Sequence, residues 1–336
     1  MNMLKIISFC LYFLLHNAFA ADVALEQQAW GDFKRHFISH DGRVIDTSNQ
    51  GISHSEGQGY GLLFAVYFND RETFSQIWHW SKSNLQTRDD ALFSWQYTVN
   101  KGVTDVNNAS DGDILIAWAL LQAAQKWNGN RYLQEAHAIL GDIRNKLIQS
   151  WQGYQVILPA EHGFMTKSDN ITINLSYWVF PAFLAFMAVD TDPVWGKLIA
   201  SGLFLSNYAQ YGQWQLPADW LQLGDVPVLS SKKPPLFGYE AIRIPLYLGW
   251  AGLRPPGVIK RLVRYVEVSQ GRLGYLSPTV NLSNNHFAEY AAPPGFIAVY
   301  QQLAKIRVPL PQKEDKDYYS RSLNLLAYIA QQQSAN

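Results

Sequence analysis

Thiols are almost missing from this chain: 336 residues contain one cysteine, Cys10. A lone thiol forms no internal disulfide and leaves no Cys-ligated zinc site. Charge is also sparse, at 16% of residues, and it is balanced at 27 basic against 27 acidic side chains. No field of one sign therefore draws the chain to nucleic acid or to an anionic membrane. Beyond the first twenty residues, no apolar run approaches the roughly 20 positions needed to cross a bilayer. His-Glu-x-x-His, Gly-x-Ser-x-Gly and a full set of Ca²⁺-loop ligands are absent too, and the histidines are scattered. No metal or other cofactor is expected.

Aromatic residues are abundant instead. The chain has 12 Trp, 18 Tyr and 17 Phe within a 48% hydrophobic composition. A large core uses many of these, but so many Trp and Tyr also suit flat, amphipathic surfaces that stack on sugar rings.

The first twenty residues read as a leader rather than as fold. Lys5 precedes a mostly apolar stretch from Ile6 to Leu15, and Ala18-Phe19-Ala20 is a small-x-small cleavage site. A signal peptide over residues 1–20 predicts an exported protein, periplasmic or secreted. It also removes Cys10 and leaves residues 21–336 as the mature chain.

From there the pattern is helical, and no Pro- or Ser-rich linker divides it, so a single all-α domain is expected. Ile114, Ala117, Trp118, Leu121 and Ala124 fall on one stripe of a helix from Ile114 to Trp127. Similar segments run 25–38, 57–68, 72–85, 131–149, 171–189, 194–208, 239–250, 258–268, 286–304 and 317–331. With the 217–221 turn they make about a dozen. Short strands are expected only in connections, at 154–158 and 275–280. Gly61–Phe68 and Tyr177–Val189 are apolar nearly all round, which calls for burial on both sides. Two concentric helix layers supply that.

Three acidic stretches carry the possible chemistry. In Gly51-Ile-Ser-His-Ser-Glu56-Gly-Gln-Gly-Tyr-Gly61 the spaced glycines are a poor phosphate loop, because no Lys-Ser/Thr follows and Glu56 would repel phosphate. Ser53-x-x-Glu56 before an apolar run fits a capping box, and from residue types alone that reading is ahead of a catalytic acid. Ser110-x-x-Asp113 is a second capping box, with Asp111 an extra acid at the start of a buried helix. Glu240 precedes Arg243 by three residues, the spacing of a surface ion pair. Pro245 nearby fits a buried first turn better than a solvated face. Lone histidines such as His54 and His162 read as structural.

Taken in order, these stretches resemble glycoside hydrolase family 8. Ala109-Ser-Asp-Gly-Asp-x-x-Ile-Ala117 with Trp127 is one signature, and Asp41-Gly-Arg-Val-Ile-Asp46, Ser55-Glu-Gly-Gln-x-Tyr-Gly61 and Asn69-Asp-Arg71 follow the same pattern. The last group is similar to the secreted endoglucanases encoded with bacterial cellulose synthases. The resemblance implies an (α/α)6 barrel, a double-layered helical toroid, and metal-free endo-hydrolysis of a β-1,4-linked polysaccharide with inversion. It also places Glu56 as general acid, Glu240 as general base, and Asp111 as the ionised carboxylate that distorts the sugar and raises the pKa of the acid. Trp95, Tyr177 and Arg243 are then substrate-binding residues. Much of the family has Asp where this chain has Glu240, which moves the carboxylate by about 1.5 Å, one C–C bond. Cellulose-type glucan is the expected substrate, with a monomer acting beside cellulose-synthase export machinery. Chitosan, xylan or mixed-linkage glucan stays open, as does a non-catalytic glycan-binding export factor.

Overall fold

The computed structural model describes residues 23–166 and 170–334, so the expected signal peptide at 1–20 and Cys10 lie outside the described residues. Among the described residues, eleven α-helices hold about half of the chain. They are α1 (23–37), α2 (Ser55–Tyr67), α3 (Arg71–Asn84), α4 (Ser110–Trp127), α5 (Asn130–Asp142), α6 (Phe180–Met187), α7 (Val194–Tyr208), α8 (Arg243–Trp250), α9 (Pro256–Leu273), α10 (Pro294–Leu303) and α11 (Tyr318–Ser334). None is long and apolar enough to cross a membrane.

Two kinds of helix alternate. In α3, α5 and α9 one face is apolar and the other polar, while α2, α4, α8 and most of α11 are buried almost throughout. Joined by α6 and α10, the buried set closes a ring in which α2 packs on α4, α4 on α6, α6 on α8, α8 on α10, α10 on α11, and α11 back on α2. Outer helices pack against it, α3 on α2, α5 on α4 and α7 on α6, with α9 against α7. Trp30 and Phe33 of α1 pack on Phe64 of α2, and Phe33 also meets Tyr318 of α11, so α1 covers that seam. This is the (α/α)6 arrangement with one outer helix replaced. Between α10 and α11 the connection 304–317 is irregular, because Pro309 and Pro311 break any helix there. The buried apolar side chains form one continuous core.

The inner contact is tightest between α2 and α4, and the glycines explain it. A Cβ at Gly59 would lie 2.6 Å from Leu115 Cβ, and one at Gly112 would lie 2.6 Å from Ser55 Cβ and 2.7 Å from Glu56 N. These glycines serve helix-to-helix approach, not phosphate.

Strands are more numerous than the sequence suggests. β1 (Ser53–His54), β2 (Ser94–Thr98) and β3 (Gly102–Asn108) form an antiparallel sheet beside the start of α2. β4 (Ile148–Trp151) and β5 (Tyr154–Ile157) make a hairpin, so the expected 131–149 helix stops after a π-turn at Ile143–Leu147. β6 (Ile171–Ile173), β7 (Leu221–Leu223) and β8 (Pro227–Leu229) form a second sheet, and β9 (Leu236–Phe237) pairs with β10 (Val280–Asn281). The expected 171–189 helix is therefore a strand, a 3-10 turn at Leu175–Tyr177 and the short α6. The exposed Leu184 and Met187 on α6 contradict burial all round. The 217–221 turn is not helical and leads into β7, and of 275–280 only Val280 is in a strand. The expected 239–250 and 286–304 helices start later, the second at the Pro293-Pro294 pair, where the first proline fixes an extended backbone before the helix.

Candidate active site

The N-terminal ends of the inner helices meet at one end of the ring. A cleft of about 250 Å³ there is lined by Glu56, Asp111, Glu240, Tyr177, Arg243 and Trp95, with Asp46 and His54 beside them. All six residues singled out from the sequence thus come together.

Arg243 organises the cluster. It is 4% exposed. Its Nη1 lies 3.1 Å from Glu56 Oε1, while Nη2 lies 2.6 Å from Glu240 Oε2 and 3.6 Å from Asp111 Oδ2. The ion pair with Glu240 predicted from spacing exists, but as part of a cluster of three carboxyls around one buried guanidinium and not on a helix surface. The two guanidinium nitrogens are about 2.3 Å apart. The contacting oxygens of Glu56 and Glu240 are therefore no more than about 8 Å apart, below the roughly 9.5 Å upper end of the span for a carboxyl pair that holds a water between them. Nη2 also donates to Ser176 Oγ at 2.9 Å and Nη1 to Tyr319 Oη at 3.2 Å, and the guanidinium sits 5.9 Å from the centre of the Tyr177 ring.

Each outer carboxyl is held by one oxygen. Tyr60 Oη donates to Glu56 Oε1 at 2.7 Å, the same oxygen that faces Arg243, and among the described residues no hydrogen bond reaches Oε2. Asn174 Nδ2 donates to Glu240 Oε2 at 3.0 Å, again the oxygen that faces Arg243, and Oε1 has no hydrogen bond among the described residues. Asn174 Oδ1 in turn accepts from Ser176 N at 3.0 Å and Ser176 Oγ at 2.7 Å, which locks the 3-10 turn carrying Tyr177.

The electrostatics differ from the expected division of labour. Burial pushes the Asp111 carboxyl well above the usual range, and the nearby Glu56 and Glu240 add to that, against the pull of Arg243. Asp111 is thus the carboxyl that resists ionisation in this arrangement, not one that stays charged throughout. Burial also raises the phenols of Tyr60, Tyr177 and Tyr319, with Glu56 adding to the first and last and Asp111 and Glu240 to the second. All three remain hydrogen-bond donors.

Both capping boxes are corrected. The N-cap of α2 is His54, whose Nδ1 accepts from Gly57 N at 3.0 Å, while Ser53 is in β1. That bond places the imidazole proton on Nε2, 3.5 Å from Asp46 Oδ2. Glu56 is thereby freed from capping. The N-cap of α4 is Ala109, without a side-chain cap, and Asp113 instead accepts from Phe93 N at 2.9 Å and Asn108 Nδ2 at 2.8 Å. Asp113 ties α4 to the base of the β2–β3 hairpin. On that hairpin Trp95 is held by an Nε1 bond of 2.9 Å to Asp105.

Sequence reasoning missed Tyr60, Asn174, Ser176 and Tyr319. The first lies one helical turn after Glu56, a spacing that puts both on one face. Tyr319 carries only a weak signal, an aromatic pair opening an apolar helix.

The chain is similar in sequence to a protein from Novacetimonas hansenii named probable endoglucanase, at 40% identity over 312 residues, 90% of each chain. Two solved structures match the fold at full probability. An endoglucanase from Komagataeibacter sucrofermentans has a TM-score of 0.87 at 40% identity, covering 93% of this chain and 99% of that one. An endo-β-1,4-glucanase from Acetobacter xylinum has a TM-score of 0.86 at 38% identity, with the same coverage. The family model of glycosyl hydrolases family 8 matches residues 1–333. With that match across nearly its whole length, the chain belongs to glycosyl hydrolases family 8.

Proposed function

We propose that this enzyme is an endo-acting β-1,4-glucanase that cleaves cellulose-type chains with inversion. The observation that carries the reading is one buried guanidinium in contact with three carboxyls, with one oxygen of Glu56 and one of Glu240 free of hydrogen bonds among the described residues.

Glu56 is the general acid. Tyr60 and Arg243 fix Oε1, so the proton is delivered from Oε2 to the glycosidic oxygen as the C1–O bond breaks. Glu240 is the general base. Its Oε1 takes a proton from the water whose oxygen bonds C1 from the opposite face, with the Tyr177 hydroxyl orienting that water. Asp111 grips the ring at the cleavage point. Sugar hydroxyls that donate to Asp111 favour its anion. Ring faces stack on Trp95.

Residues 21–336 act as one catalytic unit after loss of the 1–20 leader, in the periplasm or outside the cell, as a monomer beside cellulose-synthase export machinery. Reducing-sugar release from a panel of β-glycans, with the product anomer followed by NMR, tests the assignment. Cellulose derivatives should be cut to the α-anomer, and Glu56→Gln should abolish cutting. A β-anomer rejects the inverting pair. Cello-oligosaccharide binding without new reducing ends makes the protein a glycan-binding factor instead.

A further inference from the structure

Glu240 is one methylene longer than the Asp common at this position, so what holds its backbone matters more than usual. Glu240 precedes α8, in a turn from Gly238 to Ile242. The N–H groups of such a turn have no helical acceptor behind them. Asp219, from the bend before β7 and 7% exposed, supplies one. Its Oδ1 accepts from Gly238 N at 2.8 Å and from Ala241 N at 2.8 Å, so the two donors bracket Tyr239 and Glu240. Its own N–H donates to Leu236 O at 2.7 Å. Gly238 is packed so closely that an added Cβ would lie 3.2 Å from Asp219 Oδ2 and 3.0 Å from Thr279 Cγ2. The turn cannot slide without losing both bonds.

We propose that Asp219 is a positioning residue for the base: one buried carboxylate oxygen caps the turn from outside and fixes where Glu240 presents its own carboxylate. Asp219 is not among the residues that line the cleft. The inference rests on Glu240 being the base. The Glu56 side of the cleft, built from α2 and Tyr60, is independent of it.

Asp219→Asn keeps the shape but turns the carboxyl into an amide, a weaker acceptor for the two N–H groups. Its kcat on soluble cellulose derivative should fall about 10- to 100-fold, the scale of a sub-ångström to 1 Å misplacement, with KM changed less than about twofold. The defect should persist on a dinitrophenyl cello-oligosaccharide, whose leaving group needs no acid. Glu240→Ala should behave the same way, whereas Glu56→Gln should recover. In a Glu240→Ala background, Asp219→Asn should add no further loss, because the group it positions is gone. Asp219→Glu retains the carboxyl but displaces it, and should show the same kinetic pattern, which keeps the test open if the Asn variant does not fold. Normal kcat in a folded Asp219 variant, or an equal further loss in the Glu240→Ala background, overturns the proposal. Failure of both variants to fold overturns it in favour of a purely structural role. Full activity of Glu240→Ala removes the base assignment, and this proposal with it.

Discussion

Gly112→Ala puts one methyl group between the ends of α2 and α4 that carry Glu56 and Asp111. The new Cβ would lie 2.6 Å from Ser55 Cβ and 2.7 Å from Glu56 N, both well inside an ordinary carbon contact of roughly 3.5–4.0 Å. Ser55 Oγ can rotate away, but the Ser55 Cβ and the Glu56 backbone cannot. The first turn of α2 must therefore retreat by about 1 Å, carrying Glu56 away from Arg243 and Asp111. Overpacking of this kind destabilises by about 1–3 kcal/mol, which for a chain of this size lowers the melting temperature by only about 1.5 °C per kcal/mol. The chemistry is more sensitive, since a 1 Å misplacement costs about 100-fold in rate. Calorimetry beside kcat on a soluble cellulose derivative separates the two effects. Gly141→Ala is the control, because a Cβ there meets nothing within 4 Å. A folded Gly112→Ala enzyme with unchanged kcat would refute the claim that this contact sets the position of the acid.

Arg243→Lys cannot bridge three carboxyls with one point charge, and kcat should drop by about 100-fold or more in steady-state assays. Trp95→Ala removes a stacking surface remote from the bond being broken, so KM should rise about tenfold with kcat nearly intact. Stability should peak in mildly acidic solution, as urea titrations across pH would show. Burial pushes the carboxyls of Asp113 and Asp219 up to about 7, and stability contributed by such raised groups is complete below about 3.9 and is lost as pH rises through 7, on the order of 4 kcal/mol at most for each. Asp70 and Asp90 work in the opposite sense. Burial opposes their ionisation, but Lys34 at one and Arg88 at the other outweigh it and hold them at about 2, so their contribution is lost as pH falls toward that value. Stability that rises steadily from pH 6 to 9 would contradict the first half of this account.

The inner helices were legible because burial on every side leaves an apolar run with no polar face, as in Gly61–Phe68. The acids were legible because short motifs carried them. Cap geometry was not. Ser53 and His54 are both capable N-caps, and the choice depends on β1 pairing with β2, forty residues away. The hairpin itself, Ser94–Asn108, has mixed polar and exposed faces that give no alternation to read. Arg243 looked like half of a surface pair because spacing along a helix says nothing about what lies across the ring. Asp219 was invisible for the same reason: it acts on backbone groups about twenty residues further along, and no side-chain pattern records that.

The ring is closed by its last helix. Ser48 Oγ donates to Asp317 across 269 positions of sequence, and Tyr318 N returns a bond to Ser48 Oγ at 3.3 Å. Tyr319, at the same seam, contributes to the Arg243 cluster. Helices made early in synthesis thus wait, with an open apolar edge, for the final stretch to arrive, since a closure of this length cannot form before its far end exists. A nascent chain stays unlocked until the stretch around Asp317 and Tyr318 has been made; a premature stop before residue 318 forfeits the lock and part of the cleft wall together.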